Sequence, residues 1–198
     1  MPRRRADAER NIAAILDASR ELFGKGVNPS MNEIARAAGV GRVTLYGHFP
    51  SREVLLKAVV ERAIAETNEA LDVLGLDAEA ADEALAQIIK TSWPILDRYR
   101  RLRLVALAEL GPERLRRHHD RVLQRMERLI ARGRDDRVFR TDLPRDWLVA
   151  TLYAVLHAAA DEVDTGRLPA AKASDVLTAT VLSLLRPPAA AAPYTVKA

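Results

Sequence analysis

The stretch that decides the fold is residues 30–53, which read SMNEIARAAGVGRVTLYGHFPSRE. Ser30, followed three residues later by Glu33, predicts a capping box and therefore a helix that begins at the next residue. Gly39 supplies the left-handed conformation that commonly ends a helix, and a second helix is predicted from about Gly41. The stretch thus predicts two short helices joined by a tight turn.

The second of these helices has one face for the core and one small, outward face. At about 100° per residue, Leu45 and Phe49 fall together and predict the buried face, so that Val43 and Gly47 point away from the protein. Small outward groups between polar flanks suit the major groove of DNA, where base edges are read and phosphates are contacted on either side. An ordinary corner between two helices needs the same small residues, so the turn alone leaves both interpretations open.

The residues around the turn favour the DNA-binding interpretation. The run TLYGHFPSREVL at 44–55 resembles the end of the DNA-binding domain of TetR-family transcriptional regulators, whose usual form is T-[LI]-Y-x-[HY]-F-x-[ST]-K-[ED]-x-L. A second family pattern lies upstream and is matched, with small differences in spacing, by Arg10, Ile12, Ile15, Ala18, Leu22, Phe23 and Gly26. The resemblance covers about residues 10–57.

The resemblance implies an all-α protein with two domains. An N-terminal three-helix domain with a helix-turn-helix is expected at 1–52, and a C-terminal helical domain for ligand binding and dimerisation at 53–186. The implied partners are double-stranded DNA, a second copy of the chain and a small-molecule effector. We therefore expect a ligand-responsive repressor that binds a palindromic operator as a homodimer. Residues 187–198, rich in Ala and Pro, are expected to be a disordered tail.

The DNA contacts are expected at and around the second helix of the motif. The expected residues are Ser30, Arg42, Val43, Thr44, Tyr46, Gly47, His48 and Arg52, of which Arg52 would reach a phosphate from the amino end of the next helix. The family often has Ser at position 41 and Gly at position 43, where this chain has Gly41 and Val43. Its operator is therefore expected to differ from those of other members.

Charge and composition agree with a DNA-binding N-terminal part. Residues 1–52 hold 9 Lys and Arg against 5 Asp and Glu, so the whole net charge of +4 lies there. Arg3, Arg4 and Arg5 belong to an arm at residues 1–6 that is predicted either to be disordered or to reach the DNA. The chain has no Cys and no apolar run long enough for a membrane span. We expect a cytoplasmic protein without membrane contact.

Helical patterns continue through the rest of the chain. Helices are predicted over about 7–25 and from Ser51 towards residue 74. Another is predicted over 79–99, where Pro94 either kinks one helix or separates two. Further helices are predicted over 105–110, over 113–134, and from a start capped by Asp142 to residue 160. A last helix is predicted over 173–185. The segment 147–160 is apolar on nearly every side, which favours a four-helix dimer interface with the last helix. A monomer with other helices on both faces is the alternative.

An arginine stripe follows the predicted helix 113–134 at spacings of three and four residues. It consists of Arg114, Arg117, Arg121, Arg125, Arg128 and Arg132. Three interpretations remain open for it: a solvated face, a partner surface for the acidic segment 53–97, or a site for an anionic ligand.

No pattern indicates catalysis, a cofactor or a metal site. The chain lacks a nucleophile with a base, a glycine loop for phosphates and a cluster of metal ligands, and the adjacent His118 and His119 point about 100° apart on a helix. A ligand pocket, if present, is expected to involve Trp93, Tyr99, Met126, Trp147, Tyr153 and His157, each of which is also compatible with a place in the core. We therefore predict no enzyme; an architectural DNA-binding protein without ligand and a helical enzyme are the alternatives.

Overall fold

The structure of the protein is a computed structural model that describes residues 2–25 and 28–188, with side chains from residue 5 onward. Most of these residues are helical and none lies in a β-strand, so the all-α prediction is confirmed. The helices are α1 (Pro2–Gly24), α2 (Met31–Ala37), α3 (Arg42–His48), α4 (Arg52–Asp72), α5 (Ala81–Leu110), α6 (Pro112–Arg117), α7 (Asp120–Asp135), α8 (Arg145–Asp164) and α9 (Ala170–Leu185), with a short 3-10 helix, Leu76–Ala78, between α4 and α5.

The described helices form two compact units, each made of two separate pieces of chain. The first unit combines the residues up to Thr67 with Ile95–His119, and the second combines Asn68–Pro94 with the residues from Asp120 onward. Both α4 and α5 therefore begin in one unit and end in the other. A functional boundary at residue 52 stays a prediction, because the compact units do not separate there.

In the first unit, α1 packs against α2, and α2 packs against α3. The inner face of α1 carries Ile15, Ser19 and Phe23, all fully buried, and the Ser19 hydroxyl donates a hydrogen bond to the Ile15 carbonyl at 2.7 Å. The helix begins at Pro2, earlier than predicted, because proline is well suited to a first helical position. Only part of the predicted arm is described, since the side chains of Arg3 and Arg4 lie outside the described residues.

Pro94 lies within one continuous helix, α5, which settles the two alternatives for this region. The removal of one amide at proline interrupts a single hydrogen bond of the ladder, and the helix resumes beyond it. The separate helix predicted for 105–110 is likewise the end of α5. The division between the two compact units falls directly after Pro94.

The long helix predicted for 113–134 is two helices, α6 and α7. The break falls at His118 and His119, where the His119 amide donates to the Arg116 carbonyl at 2.9 Å and its ring Nδ1 lies 2.9 Å from the Leu115 carbonyl oxygen. Both interactions close the last turn of α6. The histidine pair therefore terminates a helix, a role that the regular spacing of apolar residues did not indicate.

In the second unit, α8 packs against both α7 and α9. Asp142 does not cap α8 as predicted, because its carboxylate instead accepts two hydrogen bonds from Arg140, at 2.9 and 2.7 Å. Pro144 occupies the N-cap position itself. Most of the predicted tail, residues 189–198, lies outside the described residues.

A close contact between Gly133 and Phe139 closes the end of α7. The loop predicted for 133–144 begins later than expected, because α7 continues to Asp135 before the chain turns back. The amides of Val138 and Phe139 both donate to the Gly133 carbonyl at 2.8 Å. The buried Phe139 ring then lies on Gly133 so closely that a Cβ there would meet its Cδ2 atom at 2.1 Å.

Gly133→Ala is therefore expected to destabilise the protein. The added methyl group has no room, and overpacking of this kind costs about 1–3 kcal/mol of unfolding free energy. Urea unfolding followed by circular dichroism measures this loss as a lower midpoint.

Gly24→Ala is the matched control, since a Cβ at this helical glycine meets no atom within 4 Å. Its unfolding midpoint should equal or exceed that of the original protein. An unchanged midpoint for Gly133→Ala would contradict the close packing of Phe139.

Candidate nucleic-acid interface and ligand cleft

The turn between α2 and α3 is built by the predicted capping box. The Glu33 amide donates to the Ser30 hydroxyl oxygen at 3.3 Å, and the Ser30 amide donates to the Glu33 carboxylate at 2.7 Å. The hydrogen bond from the Ser30 amide is the main cause that lowers the pKa of Glu33. Gly39 has φ +67°, which is the left-handed conformation predicted for the end of α2. The capping box and the α2 boundaries are confirmed.

One face of α3 is anchored and the opposite face is open. Leu45 and Phe49 are buried, as predicted. Val43 is 88% exposed, and a Cβ built on Gly47 meets no atom within 4 Å. The helix therefore presents a small, apolar outer surface next to the glycine, which permits close approach by another molecule.

Polar side chains flank this open face. The Arg42 guanidinium lies over the Tyr46 ring, 5.5 Å from its centroid, and both side chains are exposed. Thr44 and His48 are half-buried. The arrangement brings Arg42, Val43, Tyr46 and Gly47 to one exposed surface, while their contacts with DNA stay a prediction.

Two of the residues expected to contact DNA make hydrogen bonds within the protein, and the first is Arg52. The Arg52 guanidinium donates to the Glu109 carboxylate at 2.9 Å and also to the Pro29 carbonyl and the Asn28 side chain. It lies over the Phe23 ring, 5.1 Å from the centroid. A phosphate contact by Arg52 stays a prediction that this geometry does not favour, because three of its five N–H donors are used within the protein. We call this set of contacts the Arg52 clamp.

The Ser30 side chain is similarly occupied. Its hydroxyl donates to the Glu33 carboxylate at 2.7 Å while accepting the hydrogen bond of the cap. The side chain is exposed, but both of its hydrogen-bonding roles serve the start of α2. A DNA contact by Ser30 stays a prediction that this geometry does not favour.

Four of the six stripe arginines bind the acidic segment 53–97. Of the three interpretations left open for the stripe, this observation favours the contact with that segment. Arg114 donates to the Glu53 carboxylate at 2.8 Å. Arg121 donates to Asp72 at 2.7 Å, and Arg125 binds the other oxygen of the same carboxylate. The fourth, Arg132, donates to two backbone carbonyls at 2.9 Å. The stripe is thus largely an internal polar contact.

Neither His118 nor His119 belongs to a metal site in the described part of the chain, where no group of three or more potential ligands was found. Burial is the main cause that lowers the pKa of His119. His118 Nδ1 lies 3.7 Å from a Glu61 carboxylate oxygen.

The residues predicted for a ligand pocket do not form one group. Tyr99 belongs to the first unit, where its hydroxyl donates to Glu66 at 2.9 Å, and burial is the main cause that raises its pKa. The other five lie in the second unit, where Trp93, Met126 and His157 are buried and Tyr153 is half-buried. The Tyr153 and His157 rings meet edge to face, with centroids 4.3 Å apart.

Trp147 is wrongly placed by the pocket prediction. Its side chain is 61% exposed, because it lies in the first turn of α8 on a face away from the buried Leu148, Val149 and Leu152. Val176 on α9 is also exposed, at 46%. Both apolar helices of the second unit therefore leave large side chains uncovered in the single chain.

A cleft of about 370 Å³ lies within the second unit, at the end of α4. None of the six predicted pocket residues lines it. Its lining combines apolar side chains with arginines and aspartates: Leu71, Asp72, Gly75, Leu76, Asp77, Ile88, Arg125, Arg128, Leu129 and Arg132. The arginine spacing could be recognised in the sequence, but no sequence pattern predicted that the loop after α4 completes a cleft.

Among the described residues, no helix is both long enough and apolar enough to cross a membrane.

Comparison with known proteins identifies the N-terminal part. Residues 15–59 match the profile of bacterial regulatory proteins of the tetR family. The chain is 32% identical over 99 residues to an HTH-type transcriptional regulator of Staphylococcus aureus and 31% identical over 83 residues to the HTH-type transcriptional repressor LfrR of Mycolicibacterium smegmatis. These matches cover 48% and 42% of this chain and only 46% and 44% of the relatives, less than half of their length.

Solved structures extend the likeness to the whole fold. The chain matches LfrR from Mycobacterium smegmatis in complex with proflavine with a TM-score of 0.70 and 23% identity, covering 88% of this chain and 96% of that one. It matches the regulator FadR from Bacillus subtilis in complex with stearoyl-CoA with a TM-score of 0.74 and 17% identity, covering 86% and 97%. At these identities the likeness shows the fold alone. The chain thus matches the tetR-family profile of bacterial regulatory proteins at residues 15–59 and shares its overall fold with these two solved structures.

Proposed function

We propose that the protein is a transcriptional regulator that binds an operator as a homodimer and responds to a small ligand, most simply as a repressor. The observation that supports this proposal best is the outer face of α3, where Val43 and Gly47 are exposed while Leu45 and Phe49 hold the helix from below. A short helix of this shape fits a major groove, with base edges against its small residues.

The exposure of each side chain on α3 suggests which part of the DNA it contacts. Val43 offers an apolar surface suited to a thymine methyl group, and Arg42 has the donors for a guanine edge or a phosphate. Tyr46 and His48 lie on the flanks and are assigned to the backbone. The proposed DNA contacts therefore keep Arg42, Val43, Thr44, Tyr46, Gly47 and His48, without Arg52.

Dimerisation is assigned to α8 and α9. Trp147, Ala154 and Ala158 are exposed on α8 at spacings of seven and four residues, which place them on one face. On α9, Val176 is exposed in the same way. Two copies of this helix pair bury these side chains in a four-helix interface, and small Ala residues let the helices approach closely.

Ligand response requires a ligand that binds one arrangement of the dimer more tightly than another. The two structural neighbours compared above were solved with ligands, proflavine and stearoyl-CoA respectively. By analogy we assign ligand binding to the helices beyond residue 53 of this chain.

The proposal is tested by a band-shift titration against the DNA upstream of the protein's own gene, repeated at several salt concentrations. Preference for one site over random DNA and a steep salt dependence are expected. Equal binding to all DNA would favour an architectural protein, and turnover of a bound compound would favour an enzyme.

Gly47→Ala is expected to weaken specific DNA binding while leaving the fold intact. The methyl group meets no protein atom and raises the helix propensity, which favours stability by about 0.5–1 kcal/mol. It occupies the surface that approaches the base edges, so operator affinity should fall at least about tenfold. Band shifts and urea unfolding measure the two effects.

Gly24→Ala serves here again as the control, because it adds the same methyl group to another helical glycine with open surroundings. Undiminished operator affinity in Gly47→Ala would show that this face of α3 does not contact the DNA.

Arg52→Gln is expected to lower stability without changing the number of phosphate contacts. Loss of the clamp leaves Glu109 and two other acceptors without their donor and costs about 1–3 kcal/mol. The slope of log affinity against log salt concentration should stay unchanged, because the guanidinium does not reach DNA.

Arg42→Gln provides the comparison, since Arg42 is exposed on the DNA-facing helix. Its slope should fall by about one charge with little change in stability. A reduced slope of log affinity against log salt concentration in Arg52→Gln, at unchanged stability, would show that Arg52 contacts a phosphate.

Trp147→Glu and Val176→Glu are expected to weaken the dimer. Both side chains are exposed in the single chain, so the charge is tolerated there but not inside an apolar interface, and association should weaken at least about tenfold. Sedimentation velocity measures the dimer fraction.

Val73→Glu is the matched control, because Val73 is 83% exposed and lies directly after α4 rather than on α8 or α9. Equal dimer fractions in all three variants would place the interface elsewhere.

A further inference from the structure

We propose that the cleft at the end of α4 binds a small amphipathic anion, a molecule with one carboxylate or phosphate head group and a short apolar body. The inference rests on the proposed function only in naming this class of molecule as the effector. The binding site itself is argued from the residues that line the cleft.

The cleft has the size and the mixed lining of a small-molecule site. Its volume of about 370 Å³ lies within the range of ligand pockets. Leu71, Leu76, Ile88 and Leu129 supply the apolar wall, which suits a hydrocarbon body. A wall of this kind beside charged groups favours a ligand that is apolar at one end and ionised at the other.

Positive charge exceeds negative charge in the cleft, whose lining holds three arginines and two aspartates. The Asp72 carboxylate accepts hydrogen bonds from both Arg121 and Arg125, so one negative charge balances two guanidinium groups. Arg128, one turn further along α7, is exposed and makes no ion pair with any residue in the described part of the chain. Its charge remains available to a ligand.

Arg132 offers the second anchor. Its Nη1 atom donates to the carbonyls of Leu76 and Asp77, both at 2.9 Å, which fixes the guanidinium against the loop after α4. Its Nε and Nη2 atoms are buried and have no hydrogen-bond partner among the described residues. This edge of a guanidinium can bind a carboxylate or phosphate through two parallel hydrogen bonds, so we infer that a ligand reaches it by displacing the side chains that cover it.

The two anchors belong to a single helical face. Arg125, Arg128 and Arg132 are separated by three and four residues, so their side chains emerge on the same side of α7. Buried donors without acceptors are costly, and an anionic head group supplies acceptors to both Arg128 and Arg132. Of the three stripe arginines that line the cleft, Arg128 is the one without an internal partner among the described residues, and Arg132 keeps two of its nitrogen atoms unpaired.

Calorimetric titration of the full chain, without DNA, tests the site directly. The probes are octanoate and octyl phosphate, with inorganic phosphate as the head group alone and octanamide as the uncharged analogue. One molecule of octanoate or octyl phosphate should bind per chain, and the stronger of the two identifies the head group. Inorganic phosphate and octanamide should each bind at least about tenfold more weakly than that probe.

Arg128→Gln and Arg132→Gln are expected to weaken this binding at least about tenfold each. Because Arg132 also holds the loop after α4, Arg128→Gln is the decisive variant, as its side chain has no structural partner to lose. Arg117→Gln is the matched control: Arg117 belongs to the same stripe, is exposed and lies outside the cleft. Its affinity for the probes should be unchanged.

The proposal is overturned if no probe binds at concentrations up to about 10 mM, if octanamide binds as well as octanoate, or if Arg128→Gln and Arg117→Gln behave alike. The proposed function fails separately, through the band-shift titration in the absence of probe. If the anion binds to the site but does not change operator affinity, its assignment as the effector is refuted.

Discussion

The burial of Leu45 and Phe49 is the constraint on which the candidate DNA-binding surface depends. A helix of seven residues has little stability of its own, and its orientation is fixed by the side chains that it buries. Each such side chain contributes about 1.5–3 kcal/mol when it is removed from water. With these two residues inside, Val43 and Gly47 face outward. The same burial that stabilises α3 therefore determines which residues another molecule meets.

The local features of this region could be predicted from the sequence because their causes are local. The capping box of Ser30 and Glu33, the left-handed Gly39 and the buried face of α3 each depend on residues within one or two turns. Long-range contacts could not be predicted in this way. Arg52 reaches Glu109, 57 positions away, and a family pattern that assigns Arg52 to DNA contains no information about that partner.

The same distinction explains the errors elsewhere. The repeat of apolar residues predicted one helix through His118 and His119, but backbone and ring hydrogen bonds end α6 there. Gly133 was expected to begin a loop, whereas it is a helical position kept small by the Phe139 ring. The arginine stripe was recognised from its spacing alone. Its ion pairs with Asp72 and the cleft that three of its members line required the positions of Asp72 and the loop after α4.

The central claim is that the outer face of α3 lies in a major groove, and a single thiol tests it. The chain has no cysteine, so Val43→Cys carries the only attachment point for an iron chelate that cleaves nearby DNA, and the equally exposed Val73→Cys is its control. The account predicts two groups of cleavage sites from position 43, one per half-site and separated by about one or more helical turns of roughly 10 base pairs, with none from position 73. No cleavage from position 43, or equal cleavage from both positions, would contradict it.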